Sequence, residues 1–600
     1  MRKCENACSL ISTFFTSTHV RIMTYNADIQ KLPRHFLTKE FTITDWDALE
    51  PYFKNLDERD LSSVAALEQW MKDASELEAV ISEDACWRQI KMTCDTENKE
   101  LESSFTFFMM EIQPKIQSLS DKLNKKLLAC PFTKDLDPKK YFTYLRNVKK
   151  NIELFREANI PIQAELNVMQ QQFGVISGKM TVEVKGQEYT LQQAARFLED
   201  PDRSLREEVY QKINDRRLQD KKELNDLFTS LLKKRQQVAE NAGFETYTDF
   251  RFIELGRFDY SKEDCFQFHE AVKLHVMPLV NQLLEAKKKK LGLDTLRPWD
   301  IEAEPAGIQP LRPFKTGDEL TEKTIACFDE MSTGPGGKSF FGDCLRKMKT
   351  MGHFDLESRK GKAPGGYNCP LAESGAPFIF MNAAGQLDDV TTMLHEGGHA
   401  VHSFLAHGLE LNGFKEYPTE MAEVASMTME LFSMDKWHVF FNTPEELTRA
   451  KEQQLERVIT LFPWIATIDK FQHWMYSNPG HTEAERNNEW FAILEEFSSP
   501  VIDFKGLDEY RRYAWQRQLH LYEVPFYYIE YGIAQLGAIG LWQQYKQNPE
   551  AAITNYINAL ALGGTLTLPE LFKAAGLQFD LSPAHISKLM LFVKNELEKL

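Results

Sequence analysis

The pentapeptide His395-Glu396-Gly397-Gly398-His399 sets two imidazoles four residues apart, with a carboxylate directly after the first. On a helix, side chains four apart lie about 40° from one another and one turn along the axis, so both rings can face one ion. Neutral imidazole is a good zinc donor, and two of them leave room for another protein ligand and a water. Glu396, one position on from His395, can reach that water rather than the ion. Zinc lowers the pKa of such a water towards neutrality, and Glu396 can accept the proton as general base. This is the pattern of a zinc metallopeptidase. Three fixed positions also arise by chance, so context decides. Val390, Met393, Leu394, Val401 and Phe404 supply a buried face for the helix. Gly397 and Gly398 each cost a helix about 1 kcal/mol relative to Ala; a pair of them implies that something large packs against the backbone there, or that a substrate approaches it.

A third ligand has to come from elsewhere, commonly a carboxylate on a neighbouring helix. Residues 417–432 carry Glu420, Glu423 and Glu430, and Pro418-Thr419 is a plausible helix start. Glu423 and Glu430 are two turns apart on one face, and Glu420 and Glu423 are three residues apart. On spacing alone any of the three could be the ligand, and without the histidines all three would read as solvated helix acids. His402 and His407 lie off the metal-facing direction and read as packing or polar-network residues.

The elements that must position these groups are mostly helices. Residues 61–80, 98–126 and 203–239 repeat apolar positions three and four apart among charged ones, and Pro131, Pro161, Gly292 and Pro310 punctuate the pattern. The aromatic-rich stretch 521–542 reads as a buried helix region. Residues 174–188 alternate around Gly178-Lys179 and Gly186-Gln187, which predicts a short β-hairpin. A helix then starts near Thr190, with Gln193 completing a capping box. Residues 361–386 form a second non-helical island: its glycines at 361–366 suggest a mobile loop, and residues 377–381 are of strand type. The expected fold is mainly α with a few short strands. It divides into a leader at 1–22, a helical N-terminal region at 23–200 ending in the hairpin and a helix, and a catalytic portion at 201–600.

Bulk properties narrow the function further. An apolar fraction of 43% and a charged fraction of 26% are those of a soluble globular protein. The formal charge of −17 argues against nucleic acid or an anionic membrane as partner. Nine cysteines, odd in number and without a CxxC pair, suit reduced thiols in the cytoplasm better than a disulfide framework. No apolar run is long enough to cross a bilayer. Residues 2–15 faintly imitate a signal peptide, but Glu5, the hydroxyls and the missing cleavage site read as an untidy leader before Met23.

HEGGH, followed some two dozen residues later by Glu423 within Glu-Val-Ala-Ser-Met-Thr-Met-Glu, resembles the oligoendopeptidase F and thimet oligopeptidase family of zinc peptidases, and oligoendopeptidase F most of all. Gly256-Arg-Phe-Asp-Tyr-Ser261, Arg297-Pro-Trp-Asp300, Gly361-Lys-Ala-Pro-Gly-Gly-Tyr367, Pro377-Phe-Ile-Phe-Met-Asn382 and the segment from His520 to Tyr531 carry the same resemblance. It runs from about residue 175 to the C-terminus. The resemblance implies two helical lobes around a deep channel, one Zn²⁺ per chain and short peptides as substrates. It makes His395, His399 and Glu423 the ligands, and Glu430 an acid that orients a ligating histidine. It also places His520 and tyrosines over the scissile carbonyl. Tyr528 and Tyr531, three apart on one face, fit that role best, while Tyr522 and Tyr527 offer other registers. The strand containing Phe378, Ile379, Phe380, Met381 and Asn382 is expected to pair its exposed edge with a substrate backbone. Two other readings compete with an endopeptidase. One is an exopeptidase removing dipeptides from a free C-terminus, which needs an Arg or Lys clamp that the sequence alone does not single out. The other is a helical peptide-binding protein with a structural metal, in which Glu396 would have no task.

Overall fold

The computed structural model describes residues 27–331 and 339–600, so the leader expected at 1–22 lies outside the described residues. The amphipathic periodicity resolves into helices that bury their apolar stripes in two main cores. One gathers Leu49, Phe53, Leu67, Trp70, Phe108, Ile112 and their neighbours between residues 37 and 148, and is closed by Leu411 and Phe414. The other takes in Ala27 and residues from Leu154 to Val593, and contains the inner faces of the helices that carry the chemistry. Several expected helices are interrupted. Residues 203–239 form Arg203–Gln219 and Lys221–Ala242, divided at Asp220, and the helix expected at 98–126 contains a π-helical turn at Phe108–Ile112.

The hairpin is shorter than its sequence pattern. Strands β1 (Thr181–Val184) and β2 (Gln187–Thr190) pair antiparallel, and both turn residues, Lys185 and Gly186, have positive φ, as a tight two-residue hairpin requires. Residues 174–178 belong instead to the helix Ile160–Gly178. Gly174 and Gly178 are packing glycines rather than turn glycines: a Cβ on Gly178 would lie 2.8 Å from the Lys362 carbonyl. Thr190 caps the next helix with Gln193, as its pattern predicts.

Strands β3 (Phe354–Glu357), β4 (Tyr367–Cys369) and β5 (Phe378–Ala383) form a three-stranded sheet in the order β3-β5-β4. Strand β5 is therefore central, parallel to β3 and antiparallel to β4, and Phe378, Ile379, Phe380 and Met381 are buried. This corrects the expected substrate edge. Strand β5 is flanked by β3 on one side and, at residues 378–380, by β4 on the other, and the continuous apolar run Phe378–Met381 reflects burial on both faces. The loop at 361–366 is also less free than its glycines suggest. Thr96 donates to the Gly361 carbonyl from both backbone and side chain, Ala363 N–H bonds Thr93 O, and Asn382 donates to the carbonyls of Ala363 and Gly365.

Directly after β5, the Asp389 carboxylate accepts the backbone N–H groups of Ala384, Gly385 and Gln386, each at 2.8 Å. This closes the start of the helix Leu387–Ala406, which carries HEGGH. That helix lies against Thr419–Ser433, which in turn packs on Tyr528–Gln547. The paired glycines make the approach possible. A Cβ at Gly398 would stand 2.6 Å from both Ala425 O and Ser426 Cα, and one at Gly397 would stand 2.7 Å from the Phe328 ring. The glycines thus serve close packing, and Gly398 sets how near Glu423 comes to the histidines.

Candidate active site

His395, His399 and Glu423 converge. Glu423 Oε2 lies 3.2 Å from His395 Nε2 and 3.6 Å from His399 Nε2, and one donor atom from each of the three residues lies within 4.8 Å of the others. The rings stand nearly perpendicular, at 83°. An ion of zinc's size, with bonds of ~2.0–2.1 Å in tetrahedral geometry, sets neighbouring donors ~3.3–3.4 Å apart, and these two separations straddle that distance. Two imidazole nitrogens and a carboxylate therefore suit a divalent ion here.

The electrostatics agree. Burial opposes ionisation of Glu423, but the two imidazoles and the Tyr527 hydroxyl outweigh it and hold its carboxyl down at about 2. Burial likewise opposes a charge on His395, yet Glu423 and Glu430 raise its pKa well above the imidazole range. This negative potential, which favours a proton on His395, favours a cation between the same groups. Burial pushes His399 down to about 4, so it is a neutral donor at physiological pH.

The other candidate acids divide clearly. Glu430 Oε1 lies 2.8 Å from His395 Nδ1, while its Oε2 accepts from Gln454 Nε2; Gln454 in turn accepts from Thr391 on the HEGGH helix. That chain turns His395 Nε2 towards Glu423. Glu420 faces the other way and accepts the Tyr260 hydroxyl at 2.7 Å. His402 stacks on Tyr417 and His407 bonds the Gln30 carbonyl, so neither joins the site. Glu396 is buried, and its Oε2 has no hydrogen-bond partner among the described residues. Burial, helped by Glu423 and Glu430 and opposed by His395, raises its carboxyl to about 8. A buried carboxylate oxygen left without a partner is costly unless something absent from the protein alone completes it.

The aromatic segment comes in over a sharp break. The expected helix at 521–542 is divided into Leu519–Glu523 and Tyr528–Gln547, and Phe526 between them adopts φ = 66°. A non-glycine residue in the left-handed region is strained. Here its backbone is held by Gln472 at the N–H and by Arg257 at the carbonyl, with Arg251 on Pro525 O. The break lets His520 and three tyrosines meet. His520 Nε2 lies 3.0 Å from the Tyr531 hydroxyl, and Gln518 Nε2 lies 2.7 Å from His520 Nδ1. The Trp464 indole, which can only donate, bonds Gln518 Oε1. The glutamine oxygen therefore faces Trp464 and its NH₂ faces His520, leaving Nδ1 as acceptor and the ring proton on Nε2. Burial lowers His520 to about 4, which keeps it in this neutral form. With Nε2–H directed at Tyr531, the tyrosine's own proton is free for another acceptor.

Spacing alone did not separate the tyrosines. The Tyr528 hydroxyl donates to Gln518, and Tyr522 is buried among Phe173, Phe228 and Trp515. Tyr527 instead donates to Glu423 Oε1 at 2.5 Å. Its spacing of four from Tyr531 carried that signal, since residues four apart share a helix face, but the helix boundary obscured it. Strand β4 also belongs to the site: Asn368 Nδ2 donates to the Glu396 carbonyl, and Gly366 just before the strand lies close to the Glu396 carboxylate. A cavity of about 210 Å³ opens here, bounded by His395, Glu396, Arg457, His520, Tyr528 and Tyr531 among others.

Known proteins resemble this chain in sequence and in fold. An oligoendopeptidase F homolog of Lactococcus lactis subsp. lactis is 25% identical over 347 residues, which cover 55% of this chain and 54% of the relative. One from Borreliella burgdorferi is 23% identical over 379 residues, covering 62% of this chain and 61% of the relative. In sequence, then, the chain spans little more than half the length of the relatives it matches. The solved structure of PZ peptidase A with inhibitor 2 superposes with a TM-score of 0.88 at 25% identity, over 94% of this chain and 99% of that one. Residues 36–155 match the peptidase M3 N-terminal domain and residues 196–591 match peptidase family M3. The second match takes in most of the chain, including His395, Glu396, His399, Glu423, Glu430, His520 and Tyr531, and the chain therefore belongs to peptidase family M3.

Proposed function

We propose that the protein is a cytoplasmic zinc oligopeptidase that hydrolyses internal bonds of short peptides. The observation that carries this reading is the three-residue donor set beside a buried, unpartnered Glu396 carboxylate. A structural metal would give that carboxylate no task. His395, His399 and Glu423 would hold the ion, with Glu430 and Tyr527 fixing two of them. A zinc ion bound there supplies Lewis acidity, polarising the scissile carbonyl and easing deprotonation of a water.

The chain's own groups do the rest. Glu396 takes the proton of the attacking water and passes it to the departing amine. Tyr531, its hydroxyl oriented by His520, donates to the oxyanion that develops on the carbonyl oxygen. Burial raises the Tyr531 pKa well above its usual range, so the hydroxyl keeps its proton. Strand β4 has no strand partner on its outer edge among the described residues, and it lies beside Glu396. Its backbone can hold an extended substrate by β-augmentation, which binds peptides with little dependence on side chains. The formal charge of −17 argues against nucleic acid as a partner, and no helix among the described residues is long and apolar enough to cross a membrane.

Cleavage of an internally quenched fluorescent peptide tests the proposal. Activity is expected to disappear with a chelator and return with zinc. Activity that survives complete metal removal would refute the reading.

A further inference from the structure

Away from the catalytic groups, the four-residue step that builds HEGGH recurs on two helices in contact with each other. Cys265 and His269 lie four apart on Lys262–Ala271, and Asp469 and His473 lie four apart on Pro444–Ser477. Each pair presents its side chains to one side of its helix, and the fold turns the two pairs together. One donor atom each from Cys265, Asp469 and His473 lies within 4.8 Å of the other two. His473 Nε2 stands 3.4 Å from Asp469 Oδ2, close to the ~3.3–3.4 Å that an ion of zinc's size sets between nitrogen and oxygen donors. His269 Nε2 lies 2.8 Å from the same oxygen. All four residues are buried.

Hydrogen bonds within the protein leave this cluster incomplete. Asp469 Oδ1 and His473 Nε2 are buried without a hydrogen-bond partner among the described residues. The Cys265 thiol makes a weak bond to the Ser261 carbonyl at 3.5 Å. Buried charges are ordinarily paired or hold a metal, and unmet buried polar atoms point to a missing partner. Burial opposes ionisation of Asp469, but His473 and His269 outweigh it and hold its carboxyl well below the usual range. The Arg257 guanidinium, which acts electrostatically on Cys265, is itself paired with Glu530 at 2.9 Å. The rings of Phe252, Phe266 and Phe526 surround His473; Phe266 is exposed, so the cluster lies close beneath the surface.

We propose that Cys265, Asp469 and His473 bind a second divalent transition-metal ion, for which Zn²⁺ is the best fit. His269 is a positioning residue: its Nε2–H holds Asp469 and orients the carboxylate. A thiolate beside a nitrogen and an oxygen donor selects zinc over magnesium or calcium. Thiolate and aspartate together balance the ion's charge; the Cys265 thiol gives up its proton to solvent as the metal takes its place. Water fills the remaining position. The site lies behind the catalytic one. Gln472, next to His473, accepts the Phe526 N–H, and the His473 ring packs edge-on against the Phe526 ring with centroids 5.1 Å apart. Phe526 is the strained residue that directs Tyr527 to Glu423, so the ion braces the turn that carries the tyrosines. The proposal is independent of the peptidase reading, since this ion touches none of the groups assigned to catalysis.

Cobalt(II) is the probe. Metal-free full-length protein is titrated with it, the metal per chain is counted after desalting, and the near-ultraviolet spectrum is recorded. His395, His399 and Glu423 offer only nitrogen and oxygen, so a thiolate-to-cobalt charge-transfer band reports a cysteine-bound ion alone. Two ions per chain are expected, one of them with the band. Cys265→Ser should abolish the band and reduce the count to one. Zinc beyond one equivalent should raise the melting temperature of the wild type and leave that of Cys265→Ser unchanged. His473→Gln keeps the thiol but loses a donor, and should weaken the band-carrying ion about tenfold or more. No band in the wild type, whether one ion binds or two, overturns the inference without recourse to any variant. So does a band that survives Cys265→Ser, or one whose affinity is unchanged in His473→Gln. A single ion carrying the band would support this site and count against the catalytic one.

Discussion

Glu396→Gln is expected to lower peptide hydrolysis by ~10²–10⁴-fold, the usual contribution of a positioned general base, and to leave bound zinc unchanged. Glutamine keeps the shape but cannot accept the proton. Metal should be retained because the donor atoms are those of His395, His399 and Glu423, and Glu396 is not among them. The substitution should not destabilise the fold: in the metal-free protein Oε2 of Glu396 is buried without a partner, so a neutral amide replaces a group that burial already disfavours in its charged form. Rates on a fluorogenic peptide, metal content and thermal melts on the same preparations check all three statements. Loss of zinc along with activity would show that Glu396 acts on the metal instead of on water.

The three acids of the neighbouring helix should rank by metal affinity. Glu430→Gln is expected to weaken zinc binding about 10–100-fold, as loss of a partner to a ligating histidine does. Glu423→Ala should weaken it more, because it removes a donor and leaves the half-buried Tyr527 hydroxyl without its acceptor. Losing that hydrogen bond should also cost about 1 kcal/mol of stability. Glu420→Gln should leave the metal unaffected, since its carboxylate is engaged by Tyr260. Competition with a zinc-sensitive dye across the three variants gives the order. Equal effects at Glu420 and Glu423 would contradict the assignment.

Much of this was legible because helices turn local spacing into direction. The four-residue step of the histidines, the seven-residue step from Glu423 to Glu430 and the packing implied by Gly397-Gly398 each depend on one helix or on a single helix pair. Legibility failed where an answer depended on a partner distant in sequence. Residues 378–382 read as an available strand, but whether a strand is central or at an edge is decided by β3 and β4, which no local pattern reports. Gly178 resembled a turn residue because close packing against Lys362 also demands a missing side chain. Among the tyrosines, the strained turn at Phe526 reset the helix phase and gave Tyr527 the contact with Glu423.

The account turns on where a single ion sits. Crystals of the zinc-loaded protein, with diffraction recorded on both sides of the zinc absorption edge, locate it directly. One anomalous peak within bonding distance of His395 Nε2, His399 Nε2 and the Glu423 carboxylate is the predicted result. A fully loaded crystal with no peak between these three groups, or with zinc held only by other residues, would contradict the account.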